Sequence, residues 1–105
     1  MPSARNIISG NGRGVILNGT TTTRNIIAGN YIGTDTTGLI ELGNVDEGIR
    51  LTEGATGNTI GGTIPGAGNV ISGNANGILY LGAGANNLIA GNTIGLGSDG
   101  STVVG

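Results

Sequence analysis

Residues 25–33 read NIIAGNYIG, and the pattern returns 62 positions later as NLIAGNTIG at residues 87–95. A second pair behaves in the same way, because PSARNIISGN at 2–11 returns 63 positions later as PGAGNVISGN at 65–74. Self-similarity at a fixed period is the signature of a repeat architecture. The chain is therefore predicted to fold as a stack of related units.

A shorter period lies inside this long repeat. Three series of short segments recur at intervals of 29 to 34 residues. They are Asn-x-Ile at 25–27, 58–60 and 87–89; Gly-Asn at 10–11, 43–44 and 73–74; and an apolar segment opening with Gly at 14–17, 48–51 and 77–80. Each unit of about thirty residues therefore carries three short apolar segments.

These segments are predicted to be β-strands. Short runs rich in Ile and Val, bounded by Gly and Asn, are typical of strands, and Gly interrupts them too often for helices. Three strands per unit predict a three-sided solenoid, in which each strand pairs in parallel with its equivalent one coil away, about 4.8 Å along the axis. Alternation then stacks equivalent residues in two interior columns: Ile27, Ile60 and Ile89, and Val15, Ile49 and Ile78.

The repeat predicts one all-β domain over residues 1–105, with about three and a half coils of roughly 30 residues. A partial coil spans 1–24, full coils span 25–57 and 58–86, and a second partial coil spans 87–105. Neither end shows the atypical capping unit that protects natural solenoids. Both ends are therefore expected to expose unpaired backbone groups and the apolar interior.

Asparagine recurs at the same points of successive coils. Asn tolerates left-handed turns and bonds to nearby backbone, and stacked Asn side chains can form amide ladders. Two ladders are predicted: Asn25, Asn58 and Asn87, and Asn11, Asn44 and Asn74. Ligand binding is the alternative explanation, but the asparagines follow the coil period, which favours a structural role.

One place departs from the pattern. Aligning the Gly-Asn series puts Glu41 where Ile8 and Ile71 point inward. Either an insertion around residues 34–38 shifts the alternation through a bulge, or Glu41 is an inward-facing exception. We expect the bulge, with Ile40 and Leu42 facing the interior.

Composition excludes several functions. The chain has 24 Gly, four Arg, no His, no Cys and a net charge of −2, so it lacks the basic patch that nucleic-acid binding needs. No apolar stretch approaches the roughly 20 residues that span a bilayer, and we expect residues 1–5 to lead directly into the first repeat and not to form a signal peptide. Without His or Cys, the usual nucleophilic triads and zinc ligand sets cannot form.

The repeated segments resemble a known family. NVISGN at 69–74 with NGI at 76–78, IGTDTTG at 32–38 and NTIGGT at 58–63 are similar to repeats of the pectin-lyase-like superfamily, above all its class described as carbohydrate-binding proteins and sugar hydrolases. The resemblance covers essentially the whole chain and implies a right-handed parallel β-helix. Because complete members have many more coils, it also implies a stretch of a longer, secreted or cell-surface protein, and it implies no particular activity.

Four charged residues of the second coil form a candidate ligand face: Glu41, Asp46, Glu47 and Arg50. Paired carboxylates could hydrolyse a glycosidic bond, and carboxylates beside an arginine could support calcium-dependent lyase chemistry of the kind the superfamily carries out. The alternative is that these residues are solvated turn and edge positions. Asp35 is likewise expected to cap a turn rather than to bind calcium. We predict no catalytic residue, cofactor or metal site.

The sequence therefore predicts a structural or interaction module without catalysis of its own. Exposed solenoid ends favour end-to-end association with further copies of the chain, as a closed two-fold dimer or a tetramer. The alternative is a fragment of a polysaccharide-processing lyase or hydrolase, or of a glycan-binding protein. Glycan sites usually offer an aromatic platform, and the only aromatic residues are Tyr31 and Tyr80.

Overall fold

A computed structural model describes residues 5–64, 66–82, 84 and 86–104. This part of the chain contains ten β-strands and no helix. The strands are β1 (Ile7–Ile8), β2 (Val15–Asn18), β3 (Ile26–Ile27), β4 (Tyr31–Ile32), β5 (Glu47–Thr52), β6 (Thr59–Gly61), β7 (Val70–Ile71), β8 (Asn76–Leu81), β9 (Leu88–Ala90) and β10 (Thr93–Ile94).

The strands form three parallel sheets that the chain visits in a fixed cyclic order. Sheet 1 has the order β1-β4-β7-β10, sheet 2 the order β2-β5-β8, and sheet 3 the order β3-β6-β9. Every pairing between these strands is parallel. Each circuit of the three sheets, called a coil below, therefore lies on the previous one, which is consistent with a parallel β-solenoid.

Equivalent residues of successive coils lie directly over one another. In sheet 3, Ile60 pairs with Ile27 on one side and with Ile89 on the other. In sheet 2, the same register joins Val15, Ile49 and Ile78. Both columns predicted from the repeat are thus confirmed.

The core occupies the middle of the stack. Its fully buried members come from the second and third coils: Ile32, Ile49, Leu51, Ala55, Ile60 and Ile71. The equivalents in the last coil are open, with Ile89 at 39% and Ile94 at 51% exposure. Tyr80, which follows Leu17 and Leu51 in register, is also exposed. In these columns, full burial therefore coincides with having a coil above and a coil below.

The expected bulge at Glu41 is wrong. Ile40 and Leu42 are 60% and 53% exposed instead of facing the interior, and Glu41 is exposed as well, which also rules out the inward exception. The strand of sheet 1 in this coil is Tyr31–Ile32, and its Ile32 pairs with Ile8 and Ile71. The residues after Gly33 leave the wall, because Thr34 and Glu41 form an antiparallel bridge that closes hairpin 1 (residues 34–41).

A second hairpin stands at the equivalent place of the last coil. Leu96 and Val103 form the antiparallel bridge that closes hairpin 2 (residues 96–103). The two hairpins meet across the intervening coil, since the Ser98 backbone N–H donates to the Gly38 carbonyl at 2.8 Å and its hydroxyl donates to the Thr37 carbonyl at 2.6 Å. The 62-residue period is therefore a two-coil period with one hairpin in each pair of coils.

Gly33 and Gly95 offer a matched test of coil stacking. Both have positive φ, 98° and 85°. A Cβ at Gly33 would overlap the Ser72 carbonyl oxygen of the next coil, whereas a Cβ at Gly95 would meet nothing within 4 Å. Alanine at either position would suffer the same left-handed backbone strain. The difference in stability between the two alanine variants therefore measures the cost of the overlap with Ser72.

We expect Gly33→Ala to lower the free energy of unfolding by about 2 kcal/mol more than Gly95→Ala. Urea unfolding of both variants, at concentrations that keep the chain monomeric, measures this difference. Equal losses would contradict the stacking of Gly33 beneath Ser72.

Candidate functional site

Asn25, Asn58 and Asn87 are joined by side-chain hydrogen bonds from coil to coil. The Asn25 Nδ2 donates to the Asn58 Oδ1 at 2.9 Å, and the Asn58 Nδ2 donates to the Asn87 Oδ1 at 3.1 Å. The same two oxygens accept the backbone N–H groups of Asn25 and Asn58. Each rung therefore ties backbone and side chain of one coil to a single oxygen of the next.

Asn11, Asn44 and Asn74 are linked in the same direction. The Asn44 Nδ2 donates to the Asn74 Oδ1 at 2.8 Å, and the backbone N–H groups of Asn11 and Asn44 donate to the next Oδ1. The first rung is incomplete, because the Asn11 Nδ2 donates to the Ser9 carbonyl of its own coil.

A third ladder, not predicted from the sequence, runs through Asn6, Asn30, Asn69 and Asn92. The Asn6 and Asn69 Nδ2 groups donate to the following Oδ1 at 3.2 and 2.9 Å, and the Asn30 N–H donates to the Asn69 Oδ1 at 2.9 Å. Each asparagine immediately precedes a strand of sheet 1, which is the signal that could have revealed it. The spacings of 24, 39 and 23 residues conceal the period, since hairpin 1 lies in only one of these intervals.

The ladders leave unlike groups at the two ends of the stack. Among the hydrogen bonds of the described residues, the backbone N–H groups of Asn87 and Asn92 donate to nothing. Within that same set, the Oδ1 atoms of Asn6 and Asn25 accept nothing. Within the described residues, one end therefore presents donors without an acceptor, and the other presents acceptors without a donor.

Three residues of the predicted ligand face belong to one ion-pair cluster. Glu47 is buried, and its Oε1 lies 3.1 Å from the Arg13 Nε and 3.7 Å from an Arg50 guanidinium nitrogen. Asp46 lies 3.9 Å from Arg13. Glu41 is in none of the ion pairs of the described residues, and instead borders a shallow depression of about 400 Å³.

The cluster crosses from the first coil to the second. Arg13 precedes β2, and the register of sheet 2 sets it beside Glu47, which begins β5. The Glu47 carboxylate is therefore neutralised by two guanidinium groups at a point where two coils meet. Removing the charge of such a buried carboxylate is costly, because it leaves the two arginines without their partner.

We expect Glu47→Gln to lower the free energy of unfolding by about 2 kcal/mol, because a charge-assisted hydrogen bond and its ion pairs are lost. The control is Asp46→Asn, whose side chain is half exposed and should change stability by less than about 0.5 kcal/mol. Denaturant unfolding at low salt measures both. Equal effects would mean that burial of Glu47 contributes nothing.

The two hairpin aspartates cap turns. Asp35 accepts hydrogen bonds from the hydroxyl and N–H of Thr37, which lower the pKa of its carboxyl. In hairpin 2, the Thr102 hydroxyl and the N–H groups of Thr102 and Ser101 hold the pKa of Asp99 at about 2. No cluster of three His, Cys, Asp or Glu side chains able to hold a metal occurs in the described ranges.

A groove of about 710 Å³ runs along the outer face of sheet 1. Tyr31 and Thr93 form its floor, and Ile64 and Ser98 lie at its margins. The Arg5 guanidinium covers the Tyr31 ring, 4.1 Å from its centroid. The groove is therefore lined by both polar and apolar residues, and the Tyr31 ring face that faces Arg5 is already occupied.

Comparisons with known proteins add no family. No helix in the described part of the chain has the length and hydropathy to cross a bilayer. The sequence matches no protein-family model, and neither a curated protein nor a solved structure matches it significantly.

Proposed function

We propose that the chain is a structural and interaction module: a right-handed parallel β-helix of the pectin-lyase-like type that associates end to end with itself and has no catalysis of its own. Three parallel sheets visited in cyclic order support the fold. The strong preference of parallel strand–connection–strand units for the right hand supports a right-handed helix. The family assignment is supported by the repeated segments named above.

The observation that carries the proposal is the open last coil. Ile60 is fully buried between its neighbours, whereas Ile89, next in the same column, is 39% exposed. Ile94 in sheet 1 is similarly open, and β8, β9 and β10 each lack a strand on one side among the described residues. Apolar columns and unpaired strand edges are together a template for another parallel or antiparallel strand.

Sedimentation velocity at micromolar concentration tests the proposal. One chain has a mass of 10.2 kDa. We expect the wild-type chain to sediment as an oligomer and the Ile89→Lys variant to sediment as a folded monomer. The control is Leu88→Lys, because Leu88 belongs to the same strand and is more exposed, but points away from the column. A folded, monomeric wild-type chain would overturn the proposal.

The groove of sheet 1 supports a second candidate function, the binding of a polysaccharide segment. Its lining continues over successive coils of sheet 1, from Tyr31 through Val70 to Thr93, which suits an extended chain. Arg5, Tyr31 and Thr93 supply charge, a ring edge and a hydroxyl. Titration with acidic and neutral oligosaccharides tests this candidate. Binding that is weakened by Tyr31→Ala but not by Tyr80→Ala would support it, while turnover abolished by Asp46→Asn with Glu47→Gln would favour the enzyme-fragment alternative.

A further inference from the structure

The three amide ladders all run in one direction along the stack. In every bond between two asparagine side chains, the Nδ2 belongs to the earlier coil and the accepting Oδ1 to the later one. The backbone N–H groups of the same asparagines follow the same rule. The later asparagine of a rung also donates its Nδ2 back to a backbone carbonyl of the earlier coil, as Asn58 does to Thr22 and Asn92 to Ile60. The edge of a parallel strand carries both donors and acceptors on either side, so the strands alone do not distinguish the two ends of the stack. The ladders do distinguish them.

The direction of the ladders makes the two ends complementary. The end formed by β8, β9 and β10, called the donor end, presents the N–H groups of Asn87 and Asn92, which have no acceptor among the described residues. The end formed by β1, β2 and β3, called the acceptor end, presents the Oδ1 atoms of Asn6 and Asn25, which receive no donor from the described residues. A donor end placed on an acceptor end continues the ladders, whereas two donor ends oppose N–H to N–H.

The inward apolar residues at the two ends also favour contact between a donor end and an acceptor end. The inward residue at the donor end of sheet 3 is Ile89, and its counterpart at the acceptor end is Ile27. Ile27 is half-buried, while Ile89 is more open. Ile89 of one copy could therefore pack on Ile27 of the next, as Ile60 packs between Ile27 and Ile89 within one chain.

We propose that association is head to tail: the donor end of one copy binds the acceptor end of the next. This inference rests on the proposed function, and it replaces the closed two-fold dimer expected from the sequence with a heterologous contact. Such a contact forms a ring only if its rotation closes, and otherwise forms an open filament. Uncompensated backbone N–H groups at a buried contact are costly, which disfavours contacts between two donor ends.

A complementation experiment with two blocked variants tests the direction. Ile89→Lys blocks the donor end, and Ile27→Lys blocks the acceptor end, each by placing a charge in the axial column. Leu88→Lys and Ile26→Lys are the controls, because these outward neighbours are exposed and their lysines remain in water. Circular dichroism and thermal melting establish that each variant is folded.

Head-to-tail association predicts that each blocked variant alone is a monomer, and that an equimolar mixture forms a dimer of twice 10.2 kDa and nothing larger. Both controls should associate like the wild type. A homodimer of either blocked variant alone, or folded blocked variants that fail to combine while the wild type associates, would overturn the head-to-tail direction alone. A monomeric wild type would overturn the proposed self-association, and the direction with it.

Discussion

Asn58→Ala is expected to lower the free energy of unfolding by about 3 to 5 kcal/mol, because one side chain is removed from five hydrogen bonds. The Asn58 Oδ1 accepts from the N–H and Nδ2 of Asn25, and its Nδ2 donates to Asn87 and to the carbonyls of Thr22 and Thr56. Asn58 is almost completely buried, so water cannot replace these partners without opening the stack. Urea unfolding followed by circular dichroism measures the loss.

Asn25→Ala is the matched control at the end of the same ladder. Asn25 is exposed, and its side chain contributes one bond to Asn58, so we expect a loss of about 1 kcal/mol. If both substitutions had the same cost, the inner rungs would contribute no more than a solvated surface amide. That outcome would contradict the role of the ladder as a buried junction between coils.

Ile60→Ala is expected to destabilise the chain by about 3 kcal/mol, the middle of the range for removing a buried aliphatic side chain and leaving a cavity. Ile60 is fully buried and is held between Ile27 and Ile89 in the column of sheet 3. Closing the cavity would require the three paired strands of sheet 3 to shift relative to one another. We therefore expect the surroundings to relax little.

The control for this substitution is Ile26→Ala. Ile26 lies in β3 next to Ile27, but it points outward and is 74% exposed. Its truncation should change stability by less than about 0.5 kcal/mol. A comparable loss for both variants in chemical denaturation would show that the alternation of inward and outward residues has been assigned incorrectly.

The columns were predictable because the repeat is almost constant where the interior is built. Ile27, Ile60 and Ile89 follow asparagines at nearly equal spacing, and residues of the same kind must occupy the same place in successive coils. The register of parallel strands then follows from the period of two along each strand. Local sequence was sufficient in sheets 2 and 3, where the equivalent segments recur at spacings of only 29 to 34 residues.

Sheet 1 was harder to predict because hairpins alternate with short turns. Hairpin 1 separates Gly33 from Gly43, so the Gly-Asn series aligned Glu41 with residues of the wall. A turn and a bulge of similar composition cannot be told apart without knowing which strand precedes them. The same insertion concealed the ladder that runs from Asn30 to Asn69.

The ion-pair cluster depends on a contact that no local pattern contains. Asp46 and Glu47 were considered as solvated turn residues, but the carboxylate of Glu47 is buried against Arg13 in the preceding coil. Only the register between β2 and β5 brings these residues together. The period of the apolar residues predicts which residues stack. To predict which charges pair at the corners between sheets, the position of each corner must also be known.

The central claim is that equivalent residues of successive coils lie over one another along a single axis. Nuclear Overhauser effects between labelled isoleucine methyl groups test it most directly, because neighbouring coils are about 4.8 Å apart. We predict cross-peaks from Ile60 to both Ile27 and Ile89, and none from Ile60 to the outward-facing Ile26. A folded chain in which Ile60 shows contact with neither Ile27 nor Ile89 would contradict the account.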